Sequence, residues 1–194
     1  MRHLAMIGML ALAAPALAET VWDIDPAHTS VQFSIRHMMI SNVRGEFTKV
    51  TGTVRGDQAD PSRAQVEATI DTSSIDTREA KRDEHLKSPD FFDVAKYPTM
   101  TFKSKNIEKA GDHRYKVTGD LTLHGVTREV VLDVDGPSAP MTDPRGNLRA
   151  GAEATAKINR QDFGIKWSKA LDGGGVMVGD EVAITIDVEG VKEP

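Results

Sequence analysis

The sequence predicts an all-β fold, an eight-stranded antiparallel β-barrel with a short helix between strands near the barrel mouth. Two observations indicate this class. Short runs in which apolar and polar residues alternate recur along most of the 194-residue chain, and such alternation is typical of a strand with one buried face. Turn-forming glycine, proline, asparagine and aspartate residues separate the runs. Seven such runs, with a further strand expected over residues 43–55, make eight strands, the usual number for a small closed barrel.

The first 18 residues have the pattern of a signal peptide. Met1-Arg2-His3 gives a basic start, residues 4–14 are apolar, and Pro15-Ala16-Leu17-Ala18 resembles a small-residue cleavage site. An uncleaved membrane anchor is the alternative, but an apolar stretch of about 15 residues is shorter than the roughly 20 that span a bilayer. We therefore expect cleavage after Ala18, export, and a single domain over residues 19–194 that is not an integral membrane protein.

The alternating runs begin at residue 31 and end at residue 188. Each is expected to place its apolar side chains on one face of a strand and its polar side chains on the other. In chain order the runs are Val31-Phe33-Ile35, Val66-Ala68-Ile70, Met100-Phe102, Tyr115-Val117-Gly119-Leu121-Leu123, Val130-Leu132-Val134, Ala150-Ala152-Ala154-Ala156-Ile158 and Val182-Ile184-Ile186-Val188, and the eighth expected strand covers residues 43–55.

Residues 77–88 break the β pattern and predict the one helix. Thr77 is a candidate N-cap, the following residues favour helix, and Ser88-Pro89 ends it. Because the segment has almost no apolar stripe, we expect it on the barrel surface or across the barrel mouth, anchored by Phe91 and Phe92.

Several of the residues expected on inward faces are small. Eight strands enclose a space that bulky side chains would just fill, so small residues there predict a cavity. The alternative is a packed β-sandwich in which these residues face a partner sheet or solvent, and periodicity alone does not decide between the two. The small residues are Ala68, Gly119, Ala150, Ala152, Ala154 and Ala156.

The charge and composition disfavour several classes of function. The net charge of −5 disfavours nucleic acid as a partner, because that affinity depends largely on Lys and Arg contacts to phosphate. The absence of cysteine excludes disulfides, thiolate nucleophiles and cysteine metal ligands. The common hydrolase, metalloprotease and nucleotide-binding motifs do not occur. Five histidines follow the leader without ligand spacing, so no metal site is predicted.

Two polar features admit both a structural and a functional interpretation. His37 ends a strand, where it is either a rim residue or part of a binding site. The cluster in residues 78–85 places Asp83 and Glu84 beside His85, which acid–base chemistry could use, although a solvated helix face explains it more simply.

Residues 158–167 form the third such segment. Arg160 stands close to Asp162, and Phe163 and Trp167 flank a glycine. An Arg160–Asp162 pair could tie a loop down at the barrel end, or the segment could contact a ligand headgroup. The two aromatic side chains would plug or line the same end.

Four blocks of residues are spaced over essentially all of residues 19–194. They are Trp22-x-Ile24-Asp25-x-x-His28-Thr29-x-Val31-x-Phe33, then Lys81-Arg82-Asp83-Glu84-His85-Leu86-x-Ser88-x-Asp90-Phe91-Phe92-Asp93 with Tyr97-Pro98, then Gly119-Asp120-Leu121-Thr122-Leu123-His124-Gly125-Val126-Thr127, and finally Asn159-Arg160-x-Asp162-Phe163-Gly164. Together these blocks resemble the YceI-like family of bacterial periplasmic proteins, and their combination is far more specific than any one of them.

The resemblance implies a lipocalin-like barrel in the periplasm. It implies a long apolar ligand in a tunnel along the barrel axis, typically a quinone or another polyisoprenoid, and a homodimer as one state. No cofactor other than this lipid is expected.

The inward apolar rows are then expected to line the tunnel, with His37 and Asp162 at a polar mouth. The expected lining residues are Phe33, Ile35, Val66, Ile70, Phe91, Phe92, Met100, Phe102, Leu121, Leu123, Val130, Leu132, Phe163, Trp167, Ile184 and Ile186.

The leading functional hypothesis is a non-enzymatic periplasmic carrier of an isoprenoid lipid. A second hypothesis is a lipid-modifying enzyme that uses His37, His85 or Asp83 at the barrel mouth. A third is an interaction domain whose barrel is filled by its own side chains and has no cavity.

Overall fold

The computed structural model describes residues 20–57 and 60–194. The predicted signal peptide lies outside these ranges. None of the helices within them has the length and apolar character needed to span a bilayer.

The chain forms a closed barrel from a meander of antiparallel strands. Within residues 20–57 and 60–194, twelve strand segments form the eight strands of the barrel. The segments β1 and β2, β3 and β4, and β5 and β6 each make up one barrel strand, while β10 is a short addition beside β11. The segments are β1 (Thr20–Ile24), β2 (Ser30–His37), β3 (Ser41–Phe47), β4 (Val50–Gly56), β5 (Gln65–Asp71), β6 (Ile75–Asp76), β7 (Thr99–Gly111), β8 (Arg114–Leu123), β9 (Val126–Asp135), β10 (Met141–Thr142), β11 (Leu148–Asn159) and β12 (Val178–Lys192).

The barrel closes along β12. On one side β12 pairs with β11, where Ala154 lies opposite Ile186. On its other side it pairs with β2, where Phe33 lies opposite Ile184, and with β1. The predicted eight-stranded antiparallel barrel is therefore confirmed, and the β-sandwich alternative is wrong because the sheet has closed on itself.

Two details of the strands differ from the sequence prediction. The strand expected over residues 43–55 is interrupted at residues 48 and 49, where Thr48 Oγ1 donates to the Ser74 carbonyl at 3.2 Å and the Lys49 amide donates to Ser74 Oγ at 3.1 Å. These contacts with a neighbouring turn divide the strand into β3 and β4. In addition, β1 precedes the first predicted strand.

The turn between β2 and β3 has methionines at positions with positive φ angles, which is unusual. Met38 and Met39 have positive φ angles of 49° and 62°, and the Ile40 amide donates to the His37 carbonyl at 3.1 Å. His37 pairs with Ser41, so three residues connect the strands, and the first two of them have the positive φ angles of a type I′ turn, in which Asn-Gly is the favoured pair. Two methionines therefore occupy a backbone conformation that their side chains disfavour.

The one α-helix among the described residues, α1 (Ala80–Lys87), begins later than the sequence predicts. Glu79 is its N-cap, and the Glu79 carboxylate accepts from the Lys81 amide at 3.3 Å. Thr77 is instead held by two residues of the helix, because its hydroxyl donates to Asp83 at 2.5 Å and accepts from Arg82 Nε at 2.7 Å. Thr77 thus joins the helix to the barrel rather than capping it.

The strand registers place α1 at one end of the barrel, which we call the helix end. The β2–β3 turn, the β8–β9 turn and the 3-10 helix Arg160–Phe163 lie at this end, and the β7–β8 turn lies at the opposite end. Side chains at the helix end belong to the larger core cluster, against which the helix residue Leu86 and the following Phe92 pack. The core residues are Val31, Phe47, Val50, Ile75, Phe91, Met100, Leu123, Phe163 and Ile165.

Candidate functional site

The candidate site is a cavity of about 570 Å³ inside the barrel. Its volume lies within the roughly 300–1,000 Å³ typical of small-molecule sites. Strand β8 contributes Tyr115 to the wall near one end of the barrel and Leu123 near the helix end. The cavity therefore runs along the barrel axis, and its wall is predominantly aliphatic and aromatic.

The cavity exists because one strand presents methyl groups where other strands present larger side chains. Alternate residues of β11, Ala150, Ala152, Ala154 and Ala156, face the interior and lie on the cavity wall. Their neighbours on β12 are large, with Ile186 opposite Ala154 and Ile184 opposite Ala156. The prediction of an underfilled interior is confirmed, and the hypothesis of a filled barrel is wrong.

Gly119 is an exception among the small residues. A Cβ at Gly119 would lie 2.5 Å from Phe102 Cζ and 2.6 Å from the Lys103 carbonyl oxygen. The ring of Phe102 therefore occupies the space that the missing side chain leaves, so Gly119 allows an aromatic residue to pack instead of enlarging the cavity.

The structure brings the expected tunnel residues together, with Phe163 as the exception. Phe163 is fully buried in the core cluster and does not reach the cavity. Of the two residues expected at a polar mouth, His37 lies on the wall, whereas Asp162 is exposed and does not. The expected residues on the wall are Phe33, Ile35, Val66, Ile70, Phe91, Phe92, Met100, Phe102, Leu121, Leu123, Val130, Leu132, Trp167, Ile184 and Ile186.

Sequence reasoning missed several wall residues. Most could have been found by extending the alternation into the first strand and by choosing the inward row of residues 43–55, and Val188 by including the last residue of the final predicted run. The additional wall residues include Trp22, Ile24, Val43, Phe47, Val50, Val54 and Val188.

Three rings and the guanidinium of Arg82 lie at the helix end of the cavity. The His85 ring packs edge-on against Phe91 and Trp167, with centroid distances of 5.0 Å to each. His85 Nε2 lies 2.9 Å from Asp90 Oδ2. Arg82 also reaches the wall. This end of the cavity therefore presents hydrogen-bond donors beside flat apolar surfaces.

Arg160 fixes the backbone around Trp167. The residue is only 3% exposed, and its side chain donates to the carbonyls of Gly179, Ile165 and Trp167, each at 2.8 Å. Burial lowers the pKa of Arg160, although the charge of Asp180 opposes this shift. The guanidinium thus holds the backbone at Ile165 and Trp167 together with the backbone at Gly179.

The prediction of an Arg160–Asp162 ion pair is wrong. The acidic partner of Arg160 is Asp180, at 3.0 Å from Nη2. Both Arg160 and Asp162 belong to the 3-10 helix Arg160–Phe163, in which Arg160 is buried and Asp162 is exposed. The two side chains therefore lie in different environments.

A second polar cluster lies away from the cavity. Asp25, His28 and Glu189 offer ligand atoms within 4.8 Å of one another, but Arg149 already donates to Asp25 at 2.7 Å and to Glu189 at 2.5 Å. Arg149 also bonds Asp143 at 2.8 Å. These hydrogen bonds hold the carboxyl pKa values of Asp25 and Asp143 well below their usual range. Pairing with a guanidinium explains this cluster without a metal ion.

Solved structures share this barrel. BcnA of Burkholderia cenocepacia matches with a TM-score of 0.75 and 26% identity, over 86% of this chain and 98% of BcnA. A YceI protein of Campylobacter jejuni matches with a TM-score of 0.68 and 31% identity, over 82% of this chain and 90% of that protein. A polyisoprenoid binding domain from Saccharophagus degradans, at 16% identity, shares the fold, with a TM-score of 0.64 over 92% of this chain and 100% of that domain.

Sequence relatives cover nearly the same length. A UPF0312 protein of Pectobacterium atrosepticum is 40% identical over 191 residues, which is 98% of this chain and 95% of the relative. A UPF0312 protein of Staphylococcus aureus is 38% identical over 170 residues, which is 88% of this chain and 96% of the relative. The family model for the YceI-like domain matches residues 22–190. The barrel with its axial cavity and this match across the described domain lead to one conclusion, that the chain belongs to the YceI-like family.

Proposed function

We propose that the protein is a non-enzymatic periplasmic carrier that holds an isoprenoid lipid, a quinone or a polyprenyl derivative, inside the barrel. The observation that carries the proposal is the apolar cavity of about 570 Å³ along the barrel axis. A branched hydrocarbon chain suits such a wall, because every part of its surface is apolar.

Affinity in such a site depends on the length of the contact. Each buried CH₂ group contributes about 0.8 kcal/mol, so a five-carbon isoprene unit contributes about 4 kcal/mol before the losses of association are subtracted. No single wall residue is then decisive, and a chain of several units binds more tightly than a short one.

Two further observations support the ligand class and the compartment. The Saccharophagus degradans structure with the same fold is described as a polyisoprenoid binding domain. The signal-peptide pattern of residues 1–18 and the absence of cysteine support a carrier that is exported and stable without disulfides. A homodimer stays a prediction.

The first test is to extract the protein, purified gently from its host, with organic solvent and to identify the released lipid by mass spectrometry. We expect an isoprenoid. Protein that is empty and also takes up no quinone or polyprenyl lipid would contradict the proposal.

The second test uses a matched pair of variants on β11. Ala154→Phe places a ring in the cavity, whereas Thr155→Phe places the same ring on the exposed outer face. We expect Ala154→Phe to weaken isoprenoid binding about tenfold or more while the far-ultraviolet circular dichroism is retained, and Thr155→Phe to bind as the wild type does. Equal binding by both variants would place the ligand outside the barrel.

The His85–Asp90 contact of 2.9 Å at the cavity wall favours one second candidate, an enzyme that transforms the bound lipid by acid–base chemistry. It predicts that the extracted lipid differs in mass between the wild type and His85→Ala. The carrier predicts the same lipid from both proteins. Asp90→Asn provides the matched control, because it leaves the His85 ring packed against Phe91 and Trp167.

A further inference from the structure

The β2–β3 turn exposes apolar side chains at the helix end of the barrel. Met38, Met39 and Ile40 are 39%, 52% and 76% exposed, and nearby Val176 is 38% exposed. These residues, which we call the apolar tip, are four of the six large apolar side chains that are exposed in the described part of the chain. Exposed apolar residues gathered at one place are typical of an interaction surface.

The backbone of the apolar tip indicates that the side chains themselves are needed there. Met38 and Met39 both have left-handed φ angles, a conformation that Asn-Gly would adopt with less strain. A stability requirement alone would favour that pair. The sequence instead keeps two long apolar side chains at the outermost point of a hairpin, in a strained backbone of the kind that accompanies functional sites.

A second segment, residues 168–177, holds the apolar tip in place. The Met38 amide donates to the Met177 carbonyl at 2.8 Å, and a Cβ at Gly175 would lie 3.2 Å from Met39 Cγ. Residues 170 and 176 form a bridge that closes this segment into a loop. The apolar tip is therefore a supported projection, anchored on two sides.

The apolar tip adjoins the cavity directly. His37, immediately before Met38, and Met177, bonded to Met38, both lie on the cavity wall. Trp167, just before the supporting loop, lies there as well. A surface that binds the apolar tip therefore comes next to the helix end of the cavity.

The charge around the apolar tip is opposite to that of the whole protein. The segments 36–44 and 166–177 carry Arg36, Arg44, Lys166 and Lys169 against the single acid Asp172, whereas the chain as a whole carries −5. Within residues 20–57 and 60–194, no ion pair engages any of these four cations. Apolar side chains with cations close by in the chain complement a surface with an apolar interior and anionic headgroups.

We infer that the apolar tip docks to an anionic phospholipid bilayer, inserting Met38, Met39 and Ile40 between headgroups so that the helix end of the cavity faces the membrane. This inference rests on the proposed function, because a carrier of a membrane lipid must meet the bilayer to load or deliver it. The same contact would bring the cavity wall at His37 and Met177 to the bilayer surface.

The experiment is flotation with vesicles of phosphatidylglycerol and phosphatidylethanolamine, compared with vesicles of phosphatidylcholine alone. The informative variant is the double substitution Met38→Asn with Met39→Gly, which supplies the favoured turn pair. We expect it to raise the thermal midpoint and to weaken binding to the anionic vesicles about tenfold or more. Met141→Asn is the control, because Met141 is 74% exposed on β10, at the opposite end of the barrel.

We expect the wild type and Met141→Asn to float with the anionic vesicles, less so at high salt, and to bind phosphatidylcholine weakly. Wild-type protein that does not float, or a double variant that floats equally well, would overturn the inference. A wild-type dimer that becomes a monomer in the double variant, without flotation, would show that the apolar tip joins two copies and would also overturn it.

A parallel measurement separates this inference from the proposed function. Ubiquinone delivered from detergent micelles should bind to the wild type and to the double variant equally, because the substitutions lie outside the cavity. Uptake of ubiquinone without flotation would contradict docking and leave the carrier proposal standing. Flotation that depends on the apolar tip, without uptake of any isoprenoid, would support docking and contradict the carrier proposal.

Discussion

The guanidinium of Arg160 donates a hydrogen bond to Asp180 at 3.0 Å, but most of its hydrogen bonds go to backbone carbonyls. The two partners differ in environment, since the side chain of Arg160 is 4% exposed and that of Asp180 is 45% exposed. Loss of the Arg160 hydrogen bonds to the carbonyls should therefore destabilise the fold more than loss of the exposed Asp180 charge.

Replacing Arg160 with Met should lower the free energy of unfolding by about 3–5 kcal/mol, because buried carbonyls lose their donor. Asp180→Asn keeps an acceptor at an exposed position and should cost less than about 1 kcal/mol. Urea denaturation of both variants measures the difference. Equal losses would show that the ion pair, rather than the carbonyl contacts, holds these loops.

Gly119→Ala should destabilise the barrel by about 1–3 kcal/mol, because the added methyl overlaps a packed ring. The overlap is with Phe102 and with the backbone of Lys103. Gly111→Ala is the control, since the nearest atom to its Cβ would be 3.6 Å away. Phe102→Leu should be less destabilising in the Gly119→Ala protein than in the wild type, and thermal denaturation would detect this coupling. Additive effects would contradict the packing described.

The Arg149 cluster predicts a dependence of stability on pH. The hydrogen bonds from Arg149 lower the folded-state pKa values of Asp25 and Asp143. The lowered pKa values therefore stabilise the folded state at pH values above the usual carboxyl pKa of about 3.9, and this stabilisation is lost as the pH falls through the lower folded-state pKa values. The variant Arg149→Gln should lack this stabilisation at neutral pH. The difference in the free energy of unfolding between it and the wild type should therefore shrink steadily below about pH 4.

Chemical denaturation across this pH range checks the prediction. Lys105→Gln removes ion pairs to Asp120 and Glu129 between exposed side chains, and it should leave both the stability and its pH dependence nearly unchanged. A gap between wild type and Arg149→Gln that stays constant to the lowest pH would contradict the assignment.

The two tryptophans can report which end of the cavity holds a quinone ring. Both lie on the cavity wall, with Trp22 near the end opposite the helix and Trp167 at the helix end. Quinone carbonyls accept hydrogen bonds, and Arg82 and His85 offer donors beside Trp167. We expect ubiquinone to quench the fluorescence of Trp22→Phe, which retains Trp167, more strongly than that of Trp167→Phe. The reverse order would place the ring at the other end.

Much of this fold follows from alternation alone, because a period of two assigns each side chain to one face. The inward row of β11, Ala150 to Ala156 at alternate positions, was predictable in this way, and so was the cavity once the barrel closed. Features that depend on distant contacts were not predictable. The division at residues 48 and 49 depends on Ser74, and Arg160 prefers Asp180 over the nearby Asp162 because its 3-10 helix turns the guanidinium inward.

The site was predictable to a similar extent. The apolar wall followed largely from strand faces, whereas Phe163, in the 3-10 helix Arg160–Phe163, is buried in the core cluster and does not reach the cavity. The positive φ angles of Met38 and Met39 had no sequence signal, since methionine gives no warning of a type I′ turn. The apolar tip is therefore visible only in three dimensions.

The closure of the barrel along β12 has a consequence for folding. Ser30 and Asp187 are hydrogen-bonded although they are 157 residues apart in the chain, so the ladder between β2 and β12 closes a loop of nearly the whole domain. Topologies dominated by such distant pairings fold slowly. Until the last strand arrives, β2 and β11 present unpaired edges that can recruit strands from other chains. Aggregation during refolding should therefore be governed by the docking of residues 178–192, and a chain shortened before Val178 should associate rather than fold.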